Sequence, residues 1–304
     1  MRMNRRQFQA GLAGAILPFL LPACASSMRP DQRATMAAID THAHIFQRGL
    51  RLANVRRYAP DYDATLDDYT GILDRHGIAG GVLVQPSFLG TDNSYLLAAL
   101  RRMPARLRGI AVVGTDVTPA TLASMHAAGV VGIRLNLVGN AAVPDFSDAR
   151  WRALLRQVAD LGWQVEVHRE AGRLPAVLQP LLDAGVKIVV DHFCRPDPAL
   201  GVDDPGFRFL LEAASTRRVW VKLSAAYRNG ANGRGQQIAL DAIPLLRGAF
   251  GMERLLWGSD WPHTQFEKKA GYELARQALE SWLPDPAERH AVLVDTPKAL
   301  FRFT

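Results

Sequence analysis

Two histidines placed two residues apart, His42 and His44, are the residues of this chain whose types and spacing most clearly suit chemistry. They lie in IDTHAHIF, an apolar segment that predicts a β-strand, and residues i and i+2 of a strand point to the same face. Both imidazoles are therefore expected on one face, together with Asp40. Such a pair is either part of a polar core or half of a metal site.

Other polar side chains occur where further predicted strands end, and four of the eight histidines are among them. These strand-end residues are His42, His44, Arg134, Asn136, His168, Asp191, His192 and Asp260. Neutral imidazoles and carboxylates suit zinc and similar divalent ions, whose catalytic sites use about three protein ligands and leave a position for water. The pKa of water bound to such an ion falls towards about 7, which gives hydroxide at neutral pH.

The elements that must position these residues are short β-branched runs that alternate with longer amphipathic stretches after Met36. Apolar residues recur at helical spacing between the runs, as at Trp151, Leu154 and Val158. Eight strand–helix units predict a single-domain (β/α)₈ TIM-type barrel over residues 36–304, with the active site at the carboxyl ends of the strands. An open doubly wound sheet is disfavoured, because no Gly-rich turn follows the first strand. The predicted strands are residues 37–45, 80–86, 107–113, 130–137, 162–169, 186–193, 218–224 and 254–260.

The bulk composition is that of a globular protein with a core. The 304 residues are 48% hydrophobic and 21% charged, and the formal net charge is +7. Basic residues are scattered and form no run of five or six, so no nucleic-acid partner is expected.

The first residues are predicted to be an export signal at 1–25, followed by a linker at 26–35. A basic head, MRMNRRQFQ, precedes an apolar run that is too short to span a bilayer, and Arg5-Arg6 is typical of a twin-arginine signal. The segment LPAC also resembles a lipobox, in which Cys24 would be lipidated. We therefore expect an exported, periplasmic protein that touches the membrane only through a possible lipid anchor at Cys24. The mature chain keeps only Cys194, which excludes an intramolecular disulfide.

Several motifs resemble the second family of the amidohydrolase superfamily, from about Ile39 to His263. They are DTHAH, GIRLN, VVDHFCRPD and LLWGSDWPH, and the segments LVQPSFLGTDNSYLLAAL and WVKLSAAYR are similar to the pyrone-dicarboxylate lactonase branch. The resemblance implies a (β/α)₈ barrel and a hydrolase that opens a carboxylate-bearing lactone or related cyclic ester. A metal-dependent decarboxylase of the same family and a non-catalytic periplasmic acid-binding relative are the alternatives.

The resemblance also implies roles for individual residues. Asp260 would activate water, His42 and His44 would line the catalytic centre, and His192 would stabilise the oxyanion. A guanidinium donates two parallel hydrogen bonds to a carboxylate, which suits a small anionic substrate. The candidate substrate-binding residues are Arg134, Arg195, Arg228, Tyr58, Ser87 and His263.

The end of strand 5 departs from the pyrone lactonase, which works without metal and has an aromatic residue there. This chain has His168 instead, as metal-dependent members do. We therefore expect one divalent metal, zinc or else manganese or iron, and a metal-free site is the alternative. The predicted ligands are His42, His44, His168 and Asp260. Lys222, inside strand 7, is expected to pair with a carboxylate.

Overall fold

The computed structural model describes residues 38–303, in which eight parallel strands form one sheet in sequence order. Ala43 bridges in parallel to Trp261, and the backbone N–H of His44 donates to the carbonyl of Trp261 at 2.8 Å. These contacts bring the end of the sheet back against its first strand, so the predicted (β/α)₈ barrel is confirmed. The strands are Ile39–Ala43 (β1), Gly80–Val84 (β2), Leu107–Ala111 (β3), Val130–Asn136 (β4), Gln164–His168 (β5), Lys187–Val190 (β6), Val219–Leu223 (β7) and Leu255–Trp257 (β8).

Amphipathic helices cover the outside of the barrel. The first begins with a reciprocal cap, in which the Thr65 hydroxyl accepts from the Asp68 N–H and the Asp68 carboxylate accepts from the Thr65 N–H. No helix within residues 38–303 is long and apolar enough to cross a membrane. The helices are Leu66–Arg75 (α1), Ser94–Arg102 (α2), Pro119–Ala127 (α3), Ala149–Asp160 (α4), Pro175–Asp183 (α5), Pro205–Ala213 (α6), Arg234–Phe250 (α7), Tyr272–Trp282 (α8), Pro286–His290 (α9) and Thr296–Phe301 (α10).

The observed strands are shorter than the predicted ones at their carboxyl ends. The predicted sixth strand extends to residue 193, but β6 ends at Val190, and the predicted eighth extends to 260, but β8 ends at Trp257. In both places the polar residues that follow leave the sheet, and Asp260 has a positive φ of 64°. The predicted export signal, its Cys24 and the linker at 26–35 lie outside the described residues.

The barrel interior contains two layers of different character. An apolar layer is covered by α10, and it lies on the amino side of the site, since Ile39 precedes His42 in β1. Its members are Ile39, Val82, Val84, Ile110, Val131, Val189, Leu256, Leu300 and Phe301. A charged layer lies nearer the carboxyl ends and consists of Arg134, Glu166, Asp191 and Lys222, all of them buried.

Candidate active site

Four of the predicted catalytic residues converge at the carboxyl ends of the strands and form a histidine–aspartate cluster. His42 and His44 come from the end of β1, His192 follows β6 and Asp260 follows β8. The Asp260 Oδ1 atom lies 3.7 Å from His42 Nε2, 3.7 Å from His44 Nε2 and 3.9 Å from His192 Nε2. Three imidazoles, from two distant segments of the chain, therefore surround one carboxylate oxygen from a third segment.

The two oxygens of Asp260 have different surroundings. Its Oδ2 accepts hydrogen bonds from the Tyr227 hydroxyl at 2.6 Å and from Arg228 Nε at 2.7 Å. Its Oδ1 is buried and has no hydrogen-bond partner within residues 38–303. Burial alone would raise the pKa of Asp260, but that pKa is held well below its usual range, and the charge of the Arg228 guanidinium is the largest cause that lowers it. Asp260 is therefore ionised at neutral pH, with one oxygen left to take a proton.

The imidazoles of the cluster are neutral at pH 7. Burial lowers the pKa of His44 to about 4 and that of His192 to about 3, and it holds the pKa of His42 well below its usual value. The Nδ1 atom of His44 lies 2.7 Å from the Val84 carbonyl, which can only accept, so His44 carries its hydrogen on Nδ1. Its Nε2 lone pair therefore faces the cluster.

His192 is positioned by a left-handed turn that the sequence did not indicate. His192, Phe193, Cys194 and Arg195 have φ angles of 52°, 55°, 68° and 50°. Left-handed backbone costs roughly 1–2 kcal/mol per non-glycine residue, so surrounding contacts must hold the turn. One such contact is the hydrogen bond from Asn229 Nδ2 to the His192 carbonyl, at 3.2 Å. Cys194, within this turn, is fully buried.

A cavity of about 210 Å³ opens onto the cluster and is lined by four arginines. Two of them face carboxylates, since Arg134 Nη2 lies 3.1 Å from Asp191 Oδ2 and Arg228 pairs with Asp260. The other two, Arg57 and Arg195, form no salt bridge within the described residues 38–303. Their guanidinium groups donate instead to Asn136 Oδ1 at 3.3 Å and to the Arg228 carbonyl at 3.1 Å. The cavity therefore offers two cations that form no salt bridge with any described residue.

The charged layer lies directly beneath the cluster. Lys222, on β7, hydrogen bonds to the Glu166 carboxylate, which confirms the expected lysine–carboxylate pair. Lys222 Nζ also lies 2.9 Å from His42 Nδ1 and 3.6 Å from Asp191 Oδ1. Burial and the neighbouring Asp191 raise the pKa of Glu166 to about 7, against the opposing effects of Lys222 and Arg134. The charged layer thus contacts the Nδ1 atom of His42, whereas the Nε2 atom of His42 lies near Asp260.

Two predicted substrate-binding residues, Tyr58 and His263, lie near the cavity in different ways. Tyr58 lines it, and its hydroxyl lies 2.9 Å from Thr264 Oγ1, which joins the loop after β1 to the loop after β8. His263 is not among the lining residues; its Nδ1 lies 3.0 Å from the Tyr227 hydroxyl, which in turn contacts Asp260. Ser87 does not line the cavity either, and it begins the 3₁₀ turn Ser87–Leu89.

His168 lines the cavity but lies apart from the other predicted metal ligands. Its Nδ1 is 3.3 Å from Arg134 Nη2, and its Nε2 is 3.5 Å from Arg195 Nη1. Its imidazole and carboxylate neighbours are His192 and Asp191, whereas His192 is the histidine that groups with His42 and Asp260. The metal role predicted for His168 remains a prediction.

The histidine–aspartate cluster could hold a metal ion. His42 Nε2 and His44 Nε2 are 3.3 Å apart, and each lies 3.7 Å from Asp260 Oδ1. Such separations are those of three ligands that share one ion at about 2.0–2.2 Å. The orphaned Oδ1 is a second observation in favour, since a buried carboxylate oxygen without a partner is rare.

Some residues of the site were missed or misplaced by the sequence reasoning. Arg57 and Tyr227 were not singled out, although each directly precedes a predicted site residue in the chain, Tyr58 and Arg228. Asp40 was expected beside the two imidazoles. Its Oδ2 accepts instead from the hydroxyl of Ser259, at 2.6 Å. The pairing of β1 with β2 shifts between Asp40 and Ala43, so the simple alternation of faces is interrupted there.

The fold and site are those of an amidohydrolase-type barrel. The amidohydrolase family model matches residues 39–303, so the chain belongs to this family. It is 32% identical to a 4-sulfomuconolactone hydrolase of Rhizobium radiobacter, over 93% of this chain and 99% of that one.

Two solved structures are similar over 88% of this chain. One is a candidate 2-pyrone-4,6-dicarboxylic acid hydrolase of Pseudomonas putida, at 48% identity and a TM-score of 0.83, of which 98% is covered. The other, from Acinetobacter baumannii, is described with the same candidate activity and with citric acid bound; it is 40% identical, has a TM-score of 0.85 and is covered completely, at 100%.

Proposed function

We propose that this protein hydrolyses a lactone, or a related cyclic ester, that carries two anionic groups. The observation that carries the proposal is the unpartnered Asp260 Oδ1, surrounded by three neutral imidazoles at 3.7–3.9 Å. A carboxylate that can take a proton from water, next to imidazoles that can hydrogen bond to a carbonyl oxygen, suits ester hydrolysis.

The arginines support a dianionic substrate. Arg57 and Arg195 form no salt bridge within residues 38–303, and both line the cavity. A guanidinium is always charged and matches a carboxylate or sulfonate with two donors. Relatives that act on 2-pyrone-4,6-dicarboxylate and 4-sulfomuconolactone carry names with this substrate chemistry, and the similar structure with bound citric acid accommodates a polycarboxylate.

The proposed reaction is water attack on the lactone carbonyl. Asp260 Oδ1 takes one proton of the attacking water as the new C–O bond forms. The carbonyl electrons move to its oxygen, where His192 donates a hydrogen bond to the developing oxyanion. When the oxyanion collapses, the ring C–O bond breaks, and the proton held by Asp260 passes to the leaving oxygen. Asp260 is a weak base because its pKa is held low, so carbonyl polarisation must supply much of the driving force.

We further propose that the cluster binds one divalent ion, with zinc as the first candidate, through His42, His44 and Asp260. When bound, such an ion would lower the pKa of a coordinated water towards about 7. The neutral state of both histidines suits this role, since a protonated imidazole cannot be a ligand.

Export through the twin-arginine route is proposed from residues 1–25 alone. The basic head and short apolar run of this segment support it, and LPAC supports a lipid anchor at Cys24. Replacing Arg5-Arg6 with two lysines in the full chain should retain the protein in the cytoplasm, as measured by cell fractionation. Unchanged fractionation would contradict the proposed route.

A pH-stat assay tests the proposed activity. Purified protein is given 2-pyrone-4,6-dicarboxylate, 4-sulfomuconolactone and an uncharged six-membered lactone, each with zinc and with a chelator. We expect release of one equivalent of acid from a dianionic lactone, and little from the uncharged one. Release of carbon dioxide without new acid would establish the decarboxylase alternative. Tight binding of all dianions without turnover would establish a binding protein.

A further inference from the structure

Lys222 makes two hydrogen bonds within residues 38–303. The side chain is fully buried, and its ammonium group contacts the Glu166 carboxylate and His42 Nδ1 at 2.9 Å, whereas Asp191 Oδ1 lies 3.6 Å away as an ion-pair neighbour. A lysine ammonium has three donors and no lone pair. The ammonium must therefore donate to His42, and the acceptor offered by His42 is the Nδ1 lone pair.

The position of the hydrogen on His42 follows from this contact. A neutral imidazole carries one hydrogen, and a ring that accepts at Nδ1 carries it at Nε2. Two acceptors lie near His42 Nε2, since the lone pair of His44 Nε2 is 3.3 Å away and Asp260 Oδ1 is 3.7 Å away. Both ends of the His42 ring are thus matched in this tautomer.

The opposite tautomer has poorer partners. A hydrogen on His42 Nδ1 would need Asp191 Oδ1 at 3.4 Å or Glu166 Oε1 at 3.5 Å, both longer than the 2.9 Å contact with Lys222 Nζ. It would also point towards a group that only donates. The distances and the donor inventory therefore favour the same tautomer.

We infer that Lys222 is a positioning residue that fixes the hydrogen of His42 on Nε2, so that His42 presents a hydrogen-bond donor to His44 and Asp260. In the reaction proposed above, on which this consequence rests, His42 would direct its Nε2 hydrogen towards His44 and Asp260 and so help to orient the base. An ion at His42 Nε2 would force the hydrogen onto Nδ1, against the ammonium. Lys222 therefore lowers the affinity of the cluster for an ion.

The tautomer can be measured directly in the metal-free protein. Histidines labelled with ¹⁵N are examined by long-range ¹H–¹⁵N NMR at pH 7, and His42 is assigned through its backbone and by loss of its signals in His42→Asn. We expect a protonated Nε2 and an unprotonated Nδ1. A protonated Nδ1, or fast exchange between the two tautomers, would overturn the inference. This outcome does not depend on any substrate, so it is distinguishable from failure of the lactonase proposal.

A double variant that removes one positive and one negative charge tests whether Lys222 determines the position of the hydrogen on His42. Lys222→Met combined with Glu166→Gln removes both members of the buried pair, so that no lone carboxylate replaces the pair. We expect His42 to shift its hydrogen to Nδ1, towards Asp191, and zinc affinity by chelator competition to rise by about tenfold or more. The control is Lys187→Met, on the neighbouring strand, whose side chain is exposed. An unchanged tautomer in the folded double variant, or an unchanged or weaker zinc affinity, would refute the role. If the double variant does not fold, the NMR spectrum of the wild-type protein still tests whether the hydrogen of His42 lies on Nε2.

Discussion

The apolar layer and the charged layer lie inside the same eight strands but consist of opposite kinds of side chain. The apolar layer packs Phe301 and Leu300 of α10 among valines and isoleucines of the strands. The charged layer buries two cations and two carboxylates, and Glu166 Oε1 and Asp191 Oδ1 have no hydrogen-bond partner within residues 38–303. Burying ions is expensive even when they are paired.

The difference between the layers indicates that the apolar layer contributes mainly to stability and the charged layer mainly to the orientation of side chains. Apolar burial stabilises by roughly 25 cal/mol for each Å² removed from water, and this stabilisation does not depend on the orientation of the side chains. Ion pairs contribute little net stability when buried, but they fix the direction of the groups they contact. Lys222 at 2.9 Å from His42 is such a group. We therefore expect changes in the apolar layer to alter stability, and changes at the carboxyl ends to alter chemistry.

The largest expected effect is on activity, from Asp260→Asn. An amide cannot take the proton of water, so kcat on a dianionic lactone should fall by about 10²–10⁴-fold, the usual contribution of a general base. The urea midpoint of the variant is measured alongside, to show that it is folded. The control is Asp145→Asn, which changes an exposed aspartate. Retention of more than a tenth of the wild-type kcat would remove Asp260 from the role of base.

The next effect tests the apolar layer through Phe301→Ala. Phe301 is fully buried, and its loss leaves a cavity where α10 meets the strands. The free energy of unfolding should fall by about 3–5 kcal/mol, as measured by urea denaturation. The kcat/KM of the protein that remains folded should be unchanged. Leu274→Ala is the control, because this side chain is 56% exposed and should alter stability by less than about 1 kcal/mol. A large loss of kcat in folded Phe301→Ala would contradict the expectation that the apolar layer affects stability and not activity.

Arg195→Met tests anion binding at the carboxyl ends. Hydrogen bonds to charged groups contribute about 1.5–3 kcal/mol, so KM for a dianionic lactone should rise about 10–100-fold. Stability should change little, because Arg195 forms no salt bridge within residues 38–303. Arg156→Met, an exposed arginine of α4, serves as the control. If KM for an uncharged lactone rises equally, Arg195 shapes the cavity and does not bind an anion.

The architecture and the core of the site could be predicted from the sequence for physical reasons. The alternation of β-branched runs with helical periodicity admits few folds, and the barrel places every strand end at one rim. The convergence of His42, His44, His192 and Asp260 follows from that rim. The assignment of Arg134, Arg195 and Arg228 to the substrate site rested instead on the resemblance to the family, and all three line the cavity.

Other features depend on contacts that the sequence does not reveal. The left-handed turn from His192 to Arg195 is held by Asn229, which lies in a separate loop. Local propensity disfavours such a turn, so the sequence alone predicted a strand through residue 193. The contact between Lys222 and His42 spans 180 positions of the chain. Only the carboxylate partner of the lysine was predictable, because a buried ammonium requires an anion.

The pH dependence of stability should also separate the histidines at the carboxyl ends of the strands from the apolar layer. Burial lowers the pKa of His44 and of His263 to about 4, so between pH 6.5 and 4 the unfolded chain binds more protons than the folded one. Stability is then fully present above pH 6.5 and is lost as pH falls through about 4. In metal-free protein we expect these two groups together to contribute a loss of about 4 kcal/mol between pH 7 and pH 5, by urea denaturation. His263→Gln should reduce that loss, whereas Phe301→Ala should leave its size unchanged. Stability that rises on acidification would contradict the buried neutral state.

The smallest effect is expected from His168→Gln, where the sequence and the geometry lead to different predictions. The sequence makes His168 a metal ligand, and its replacement would then weaken zinc binding by a hundredfold or more, on the order of a lost ligand. The geometry instead places its two ring nitrogens against Arg134 and Arg195, and groups His42 and Asp260 with His192.

Guanidinium groups only donate, so one nitrogen of a neutral His168 must face a donor with its own hydrogen unless an acceptor lies between them. An anionic group of the substrate would be such an acceptor, which makes His168 part of the anion-binding wall and not of the metal site. We therefore expect zinc affinity to change by less than about threefold in His168→Gln, and KM for a dianionic lactone to rise by a similar small factor. His42→Gln, measured by the same chelator competition, is the comparison that should lose zinc. If His168→Gln loses zinc as completely as His42→Gln, the ion lies closer to β5 than the separations around Asp260 indicate. His168 would then be a metal ligand together with His42 and Asp260.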